Sequence, residues 1–474
     1  MKNIYSYLIL VLILLIFSIQ LSAQKDTVNY QVSLSGIAST GLYSPFWFQS
    51  DQYGSISIKP NSANFSIGAF KDFSHPNHLI DYGFKVDALL QTDNAKTNLY
   101  FHELYIKSRL LVFGLSIGMR EEIYGNQDST LSSGGLLFSR NSRPIPKIWV
   151  GIENFTAIPF TKGFLEVKGG ISHGVFIDNI LAENAFLHHK YMYVRLGGKL
   201  PVKIQYGLEH VAQWGGFIPS FGQQPEGLSA FKNIFLGKSG GNDALVMDQI
   251  NALGNHIISQ STKLEFQISD FQINAYWQNI NEDGPIKVIW NSMNVSDGLW
   301  GISVKNDKFP FVKGILYEYL NTTDQSGPYH DKDGIVYGGA DTYLTNVVYE
   351  TGWTYFSRTI GSPFLSSPFY NTKGEKKIIN TRVQAHHFGI EGEFYSFKYR
   401  ALASFTKNYG SYSPFPVYNP MLWNNSFLFE MNKKFKQLYD IEAGISVGAD
   451  IGDFYGNSYG LKICLRKTGN LFKY

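Results

Sequence analysis

The sequence predicts an all-β chain that folds as a transmembrane outer-membrane β-barrel of antiparallel strands. Three observations favour this architecture: an export signal at the N-terminus, abundant aromatic residues of the kind that favour strands, and tight turns that alternate with long loops. The chain contains 30 Tyr, 36 Phe and 8 Trp, together with 46 Gly that supply turns. A closed barrel also bonds every backbone group within lipid and leaves no sheet edge. The alternative is an exported soluble β protein, whose packed sheets would cover the same apolar faces.

The first 23 residues are interpreted as a signal peptide. Lys2 gives a positive start, residues 7–19 are almost wholly apolar, and Leu21-Ser22-Ala23 leads to a cleavage point before Gln24. No run of 18 apolar residues follows, which excludes a second spanning helix. Residues 24–474 are therefore predicted to form a single outer-membrane barrel domain.

Charge and cysteine content narrow the range of partners. The formal net charge is +3, which is too small to indicate nucleic acid as a partner. Cys464 is the only cysteine, so neither an intrachain disulfide nor a cysteine metal cluster can form. No cofactor and no metal are expected.

The strand pattern is clearest between Tyr191 and Gly216. Polar and apolar residues alternate on each side of Gly197-Gly198, and successive strand residues point to opposite faces, so the segment predicts a hairpin with one apolar and one polar face. The same alternation recurs at residues 82–90, 103–110, 263–277, 382–386, 397–406 and 461–466. Charged residues share one face in each of these strands, as the lumen side of a barrel requires.

Long connections separate some of these strands. Residues 125–146, 215–241 and 321–339 are predicted to be polar loops, and loops of such length tend to be functional or mobile. Between Asp243 and Ile258 the spacing of Met247, Ile250 and Leu253 predicts a short helix, although Gly254 weakens it.

Short motifs offer little support for catalysis. Gly170-Ile171-Ser172-His173-Gly174 matches the spacing of a nucleophile elbow, but a strand rather than a helix is predicted after it, which favours an ordinary loop serine at Ser172. Gly237-Lys238-Ser239 lacks the earlier glycine of a phosphate loop, and His102-Glu103 lacks the second histidine of a zinc protease.

Two pairs of titratable residues have similarly plain interpretations. His386 and His387 are neighbours on a strand, point to opposite faces, and so cannot easily share one metal ion. Glu391 and Glu393 share a face and could suggest glycosidase carboxylates. In a polar lumen, however, we expect them to pair with Arg382, Lys398 or Arg400.

Aromatic and polar residues in and beside the loops match the composition of a sugar-binding site. Aromatic faces stack on the C–H faces of sugar rings, while Asp, Asn and Arg form hydrogen bonds to hydroxyl and acidic groups. The alternative is an interfacial aromatic belt combined with a lumenal charge network. The candidate polysaccharide-binding residues are Trp214, Asp297, Trp300, Tyr319, Asn321, Trp353 and Arg358.

The chain resembles the Wzi-like capsule assembly family of Gram-negative outer membranes. The resemblance extends in order over most of the mature chain. It rests on the blocks SRNSRPIPKIWVGI (139–152), PFTKGFLEVKGGISHG (159–174), LHHKYMYVRLGGKLPVKIQYGLEHVAQWGG (187–216), DQINALGNH (248–256), SDGLWGI (296–302), LYEYLNTTDQSG (316–327), GWTYFSRTIGSPF (352–364), NTRVQAHHFGIEG (380–392) and YRALASFTKNYGSY (399–412).

The resemblance implies an 18-stranded outer-membrane barrel that acts as a lectin for capsular polysaccharide, with no catalysis and no open pore. The implied partners are capsular or other surface polysaccharide, outer-membrane lipid and the capsule export machinery. One departure is the lack of a strong helical segment near the N-terminus, where the enterobacterial member has periplasmic helices. A porin or sugar transporter is the alternative function, and an exported polysaccharide hydrolase using Glu391 and Glu393 is a third.

Overall fold

The computed structural model describes residues 27–74, 78–282, 296–325, 342–412 and 415–473. The predicted signal peptide, residues 1–23, and most of the loop predicted over residues 321–339 lie outside these described residues. None of the helices within the described ranges is long and apolar enough to cross a membrane.

Strands account for most of the described chain. The first eleven are β1 (Thr27–Ser39), β2 (Ser62–Lys71), β3 (Ile80–Asp93), β4 (Thr97–Leu110), β5 (Phe113–Met119), β6 (Lys147–Ala157), β7 (Leu165–Val175), β8 (Phe186–Leu196), β9 (Val202–Trp214), β10 (Phe217–Ile218) and β11 (Gly222–Gln223). The remainder are β12 (Asn255–Ile268), β13 (Phe271–Asn281), β14 (Gly298–Lys305), β15 (Gly314–Asn321), β16 (Thr354–Tyr355), β17 (Arg358–Thr359), β18 (Val383–Phe394), β19 (Phe397–Gly410), β20 (Val417–Phe435), β21 (Ile441–Gly452) and β22 (Ser458–Lys473).

Eighteen of these strands form one closed antiparallel sheet, which confirms the predicted barrel. The two-residue pairs β10–β11 and β16–β17 are separate from it. Closure is made by β1 and β22, where Leu34 pairs with Leu465 and Ser39 pairs with Gly460. Every barrel strand therefore has two hydrogen-bonded neighbours, and no barrel edge is left unpaired.

The two ends of the barrel differ in the length of their connections. At the short-turn end β4 and β5, β12 and β13, and β18 and β19 are each joined by two residues, which include Leu111, Ser269 and Tyr395 in the left-handed backbone region. At the long-loop end the connections include residues 40–61, 120–146, 215–254 and 322–382. The predicted alternation of tight turns and long loops is confirmed.

The two faces of the wall have opposite chemistry. Outward side chains such as Leu34 and Ile67 are apolar and each 52% exposed. Inward positions carry ion pairs, among them Arg195 with Glu166 at 2.6 Å. The predicted hairpin over residues 191–216 follows this rule, because Tyr193 is buried inward while Met192 is exposed outward. An apolar outer band and a polar interior are the arrangement found in outer-membrane barrels.

Three long loops fold back into the barrel and fill much of it. Residues 40–61, 120–146 and 342–382 contribute Phe46, Leu136 and Trp353 to a core that includes the wall residues Leu316 and Leu428. Burying one large apolar side chain contributes about 1.5–3 kcal/mol, so such a core holds these loops firmly in place. We call these three loops the plug.

Within the described residues, three short α-helices lie in the loops: α1 (Phe46–Gln49), α2 (Gly227–Leu236) and α3 (Val246–Ile250). Single 3₁₀ turns occur at Pro368–Tyr370 and Lys436–Leu438. The helix predicted between Asp243 and Ile258 is correct only over α3, because His256 and the residues after it belong to β12. Helix α2 lies within the region predicted to be a loop over residues 215–241, so that prediction is wrong over these residues.

Candidate functional site

The structure places the seven predicted polysaccharide-binding residues in four separate environments. Trp300 and Tyr319 are paired neighbours on β14 and β15 and point outward. The Trp300 ring lies 5.7 Å from that of Trp277, and the Tyr319 ring lies 5.0 Å from that of His386. This cluster lies on the outer wall near the long-loop end, in the position of an interfacial aromatic belt.

Asp297 and Asn321 are brought together in a buried hydrogen-bond network. The Asn321 side-chain amide donates to Asp297 Oδ1 at 2.9 Å, and the Gln325 backbone N–H donates to Asp297 Oδ2 at 2.6 Å. Burial raises the pKa of Asp297 to about 7, against the opposing effect of the backbone N–H donors of Asp324 and Gln325. The pair fixes the start of the loop after β15 to the start of β14.

Trp353 and Arg358 are components of the plug. Trp353 Nε1–H donates to the Leu137 carbonyl at 2.7 Å, and the indole is fully buried. Arg358 donates to Gln49 Oε1 at 2.7 Å and to the Ile56 carbonyl at 2.6 Å. Burial lowers the pKa of Arg358 to about 10, which leaves it charged at neutral pH.

Trp214 lies apart from the other six, on the outward side of β9 and beneath α2. Its ring is 5.0 Å from Phe186 and 6.0 Å from Phe231, and the side chain is buried. The seven residues therefore do not converge on one surface.

The other candidates from the sequence are also explained by their surroundings. Ser172 lies inside β7 and is buried, so its predicted loop position is wrong. His386 is exposed outward and His387 is buried inward, which confirms their opposite faces; His387 contacts Ser404 Oγ and the Leu131 carbonyl at 2.7 and 2.8 Å. Within the described residues, no three His, Cys, Asp or Glu side chains converge to form a potential metal site.

Glu391 and Glu393 do face the lumen side, but their predicted partners are wrong. Glu391 accepts from Thr130 Oγ1 at 3.0 Å and lies 3.8 Å from Lys305. Glu393 pairs with Lys313 at 2.9 Å. Arg400 and Lys398 lie directly opposite Glu391 and Glu393 in the β18–β19 register, but Arg400 pairs instead with Glu430 and donates to the Thr130 carbonyl.

A connected row of aromatic rings lies at the long-loop end, and the sequence prediction missed it. Six partly exposed rings from four segments contribute: one from the β1–β2 loop, two from the 3₁₀ turn in the plug, one from the start of β20 and two from the β21–β22 loop. We call this row the aromatic patch. It comprises Tyr43, Phe369, Tyr370, Tyr418, Phe454 and Tyr455.

Successive rings in the aromatic patch are in contact. Tyr370 lies 4.9 Å from Tyr43 and 4.4 Å from Tyr455. Phe454 in turn lies 4.7 Å from Tyr455 and 6.0 Å from Tyr418. Such a row presents apolar ring surface, on which the C–H faces of sugar rings can stack.

Polar groups hold the patch from below, and the loop after its 3₁₀ turn carries three lysines together with Glu375. Gln49 Nε2 donates to the Tyr370 hydroxyl at 2.5 Å, and burial raises the pKa values of Tyr370 and Tyr455 well above 10, so both phenols are neutral. Lys373 and Lys376 are exposed beside the 3₁₀ turn, and the Lys377 ammonium lies 4.9 Å from the Phe415 ring. This side of the site is suited to carboxylate or phosphate groups on a polymer.

The signal for the aromatic patch in the sequence is weak. The doublets Phe369-Tyr370 and Phe454-Tyr455 are visible, but more than 80 residues separate them. Only the closure of β22 against β1 brings their loops together with Tyr43. The three tryptophans predicted from the sequence lie instead in the wall, at Trp214 and Trp300, and in the plug, at Trp353.

Solved structures with similar folds are barrels. The outer-membrane protein Wzi of Escherichia coli, described as a carbohydrate-binding β-barrel involved in group 1 capsule assembly, superposes with a TM-score of 0.58 over 94% of this chain and 86% of its own, at 13% identity. Pseudomonas aeruginosa OprD gives a TM-score of 0.47 at 8% identity, covering 94% of this chain and 96% of its own. Acinetobacter baumannii OccAB2 gives 0.47 at 10% identity, covering 94% and 98%.

No curated protein sequence matches the chain. The family model described as capsule assembly protein Wzi matches residues 57–367, which include the wall from β2 to β15 and much of the plug. This match spans more than half of the chain, and the E. coli protein shares its barrel fold. The chain belongs to the Wzi family of capsule assembly proteins.

Proposed function

We propose that this protein is an outer-membrane lectin that binds exported capsular polysaccharide and helps to assemble or anchor it at the cell surface. Its proposed partners are capsular or related surface polysaccharide, outer-membrane lipid and the capsule export machinery. In this proposal the protein binds the polysaccharide and does not hydrolyse it.

The aromatic patch is the observation that carries this proposal. Its six connected rings offer stacking surface for several consecutive sugars, and Lys373, Lys376 and Lys377 lie beside them. Long loops of outer-membrane barrels face the extracellular side, so the patch would meet polymer outside the cell. The family description and the carbohydrate binding described for the E. coli relative support the same function.

Binding of purified native capsule by the refolded barrel tests the proposal. Tyr418→Ala and Phe454→Ala are expected to weaken binding, whereas Tyr439→Ala serves as a matched control because this tyrosine is 85% exposed at the short-turn end. If the folded wild-type barrel fails to bind capsule, the lectin proposal is wrong. Trp300→Ala and Arg358→Ala in the same assay test two of the residues proposed from the sequence.

A porin or sugar transporter is the second candidate, because charged pairs such as Arg400 with Glu430 at 2.9 Å line the inner wall. The plug argues against it, since loop residues such as Trp47 and Trp353 fill the lumen. Planar-bilayer recording separates the two functions. A lectin barrel is expected to be silent, and steady ion conductance by the wild type would favour transport.

Hydrolysis of polysaccharide has the least support. Glu391 and Glu393 are each held by a lysine and lie on the lumen side, away from the aromatic patch. Incubation of capsule with the wild type should give no new reducing ends. Turnover abolished by Glu391→Gln would reverse this assignment.

A further inference from the structure

The outer wall carries one polar area where lipid-facing barrels are normally apolar. Four strands contribute to it, β7, β8, β9 and β12, near the long-loop end. The residues share the outward side with Met192 and Ile204, which are exposed. We call this area the polar wall patch, and it comprises His173, His188, Lys190, His210 and His256.

At the centre of the polar wall patch, two neutral histidines, His210 and His256, form a chain of hydrogen bonds. His256 Nε2 lies 2.8 Å from the Leu253 carbonyl, which can only accept, so this nitrogen carries the proton. His256 Nδ1 is then an acceptor, and His210 Nε2–H donates to it at 2.7 Å. The hydrogen bond between the two rings therefore forms without charge on either histidine, as a site beside lipid favours.

Helix α2 and the segment after it cover the polar wall patch. Ala230 and Ile234 are buried on the inner side of α2, and Phe231 lies 5.6 Å from both His173 and His188. Lys190 donates to the Phe235 carbonyl at the helix C-terminus, where the helix dipole also stabilises a positive charge. Helix α2 thus provides an acceptor for Lys190 and covers the ring of His188, which is fully buried.

The contacts also give the direction of α2. Phe231 touches Trp214, the last residue of β9, whereas Phe235 touches His188 and Lys190, which lie further along β8 toward the short-turn end. The helix therefore descends the outside of the barrel. Its C-terminus lies two residues, about 7 Å along the strand, from the level of the exposed Met192.

At the level of the polar wall patch, residues 227–250 cover the wall, and their outer side takes its place as the surface that faces the membrane. Leu228, Val246 and Ile250 are 89%, 72% and 78% exposed, and Leu236 and Met247 are also exposed. Lys232 and Lys238 are exposed among them. Exposed aliphatic side chains interspersed with lysines are typical of helices that lie in the interfacial region of a bilayer.

We propose that residues 227–250 form a lipid-binding collar on one side of the barrel. The aliphatic side chains of α2 and α3 lie among acyl chains, and Lys232 and Lys238 bind the phosphate groups of anionic lipid in the leaflet at the long-loop end. The collar is continuous with the apolar wall below it and keeps the polar wall patch out of contact with lipid.

Site-directed spin labelling of the full chain in nanodiscs tests the collar. In a Cys464→Ser background, single cysteines replace Leu236 or Ile250, with Ile204→Cys as the lipid-facing reference and Lys373→Cys as the water-facing reference. We expect the oxygen-to-nickel accessibility ratios of the collar labels to match Ile204→Cys. Ratios equal to Lys373→Cys, or protection from both reagents by a second protein copy, would overturn the proposal.

A second measurement tests the lysines and distinguishes lipid from free phosphate. The thermal midpoint is expected to be higher in nanodiscs of phosphatidylglycerol than in those of phosphatidylcholine, and the Lys232→Gln/Lys238→Gln variant should lose this difference. Inorganic phosphate added to phosphatidylcholine nanodiscs should not reproduce it. An unchanged difference in the variant, or the same shift from inorganic phosphate, would remove anionic lipid as the ligand.

Discussion

The Glu318 carboxylate, on the inner wall, accepts two hydrogen bonds from Ser133 of the plug, one from its backbone N–H at 2.8 Å and one from its hydroxyl at 2.6 Å. Ser132 Oγ–H and the Tyr276 hydroxyl donate to its other oxygen at 2.6 and 2.5 Å. One buried carboxylate therefore joins the loop over residues 120–146 to two strands of the wall. This contact makes the plug part of the barrel rather than a separate lid.

Glu318→Ala should loosen the plug. The change leaves four buried donors without their acceptor, and each unsatisfied group costs about 1–3 kcal/mol, so we expect a loss of several kcal/mol in the free energy of unfolding. Urea denaturation followed by heat-modifiable gel migration measures it. Glu318→Gln keeps one acceptor oxygen and is expected to lose less; equal stability of the alanine variant and the wild type would contradict the anchoring role.

Removing one ring of the aromatic patch should weaken capsule binding. For Tyr418→Ala or Phe454→Ala we expect a loss of about 1–2 kcal/mol, equivalent to roughly tenfold in Kd, because aromatic anchors dominate binding surfaces. The Kd is measured for the refolded barrel binding to capsule immobilised on a surface. The Tyr439→Ala control should bind as the wild type does, and an equal loss in this control would show that the effect is not local.

Charge beside the aromatic patch should matter most at low salt. The triple variant Lys373→Gln/Lys376→Gln/Lys377→Gln is expected to lose about 1–2 kcal/mol of affinity for an anionic capsule, since each exposed pair contributes about 0.2–1 kcal/mol and is screened by salt. Titration at two ionic strengths checks this. The matched triple Lys162→Gln/Lys199→Gln/Lys436→Gln changes exposed lysines at the short-turn end and should have no effect.

The Trp300→Ala variant distinguishes two candidate sites: the one predicted from the sequence and the aromatic patch. Because its ring points outward against Trp277, we expect Trp300→Ala to change capsule affinity by no more than about twofold, in line with substitutions remote from a binding surface. The same binding assay applies. A tenfold loss with normal gel migration would return Trp300 to the binding site.

Asp297 should make the stability of its loop depend on pH. Its pKa is raised from 3.8 to about 7 by burial, so ionisation costs the folded state and stability falls as pH rises between about 4 and 7. The difference of about 3 units corresponds to about 4 kcal/mol, fully lost above pH 7. The hydrogen-exchange protection factors of residues 322–325, which correct for the intrinsic dependence of exchange on pH, should rise on acidification to pH 5. In Asp297→Asn this dependence should be reduced, and an unchanged profile would assign it to another group.

The sequence was sufficient to predict the wall because alternation is a local property. The arm from Tyr191 to Leu196 predicts its own inner and outer sides, and the structure confirms both. The alternation predicted over residues 263–277 is also confirmed, since β12 and β13 pair directly across the tight turn at Ser269-Asp270. Helix α2 was missed because its surroundings are rich in Gly, Pro and Ser, and because its stability depends on packing against His173 and Trp214.

The candidate site was harder to predict because its members are distant in sequence. Tyr43, Tyr370 and Tyr455 meet only after the barrel closes and the plug folds inward. Arg358 and Trp353 are residue types that are suited to bind sugars, but here they form contacts within the plug. Nothing in the spacing of single residues distinguishes an aromatic side chain that faces solvent from one that fills a core.

The filled bore has a consequence for the cell. Each copy of an open barrel adds a route for bile acids, antibiotics and other toxic solutes, so its abundance is constrained by the permeability barrier. A barrel whose interior is occupied by Trp47, Trp353 and their neighbours is expected to add no such route. If the planar-bilayer recording is silent, bacteria could raise the number of copies to match the density of their surface coat without compromising that barrier.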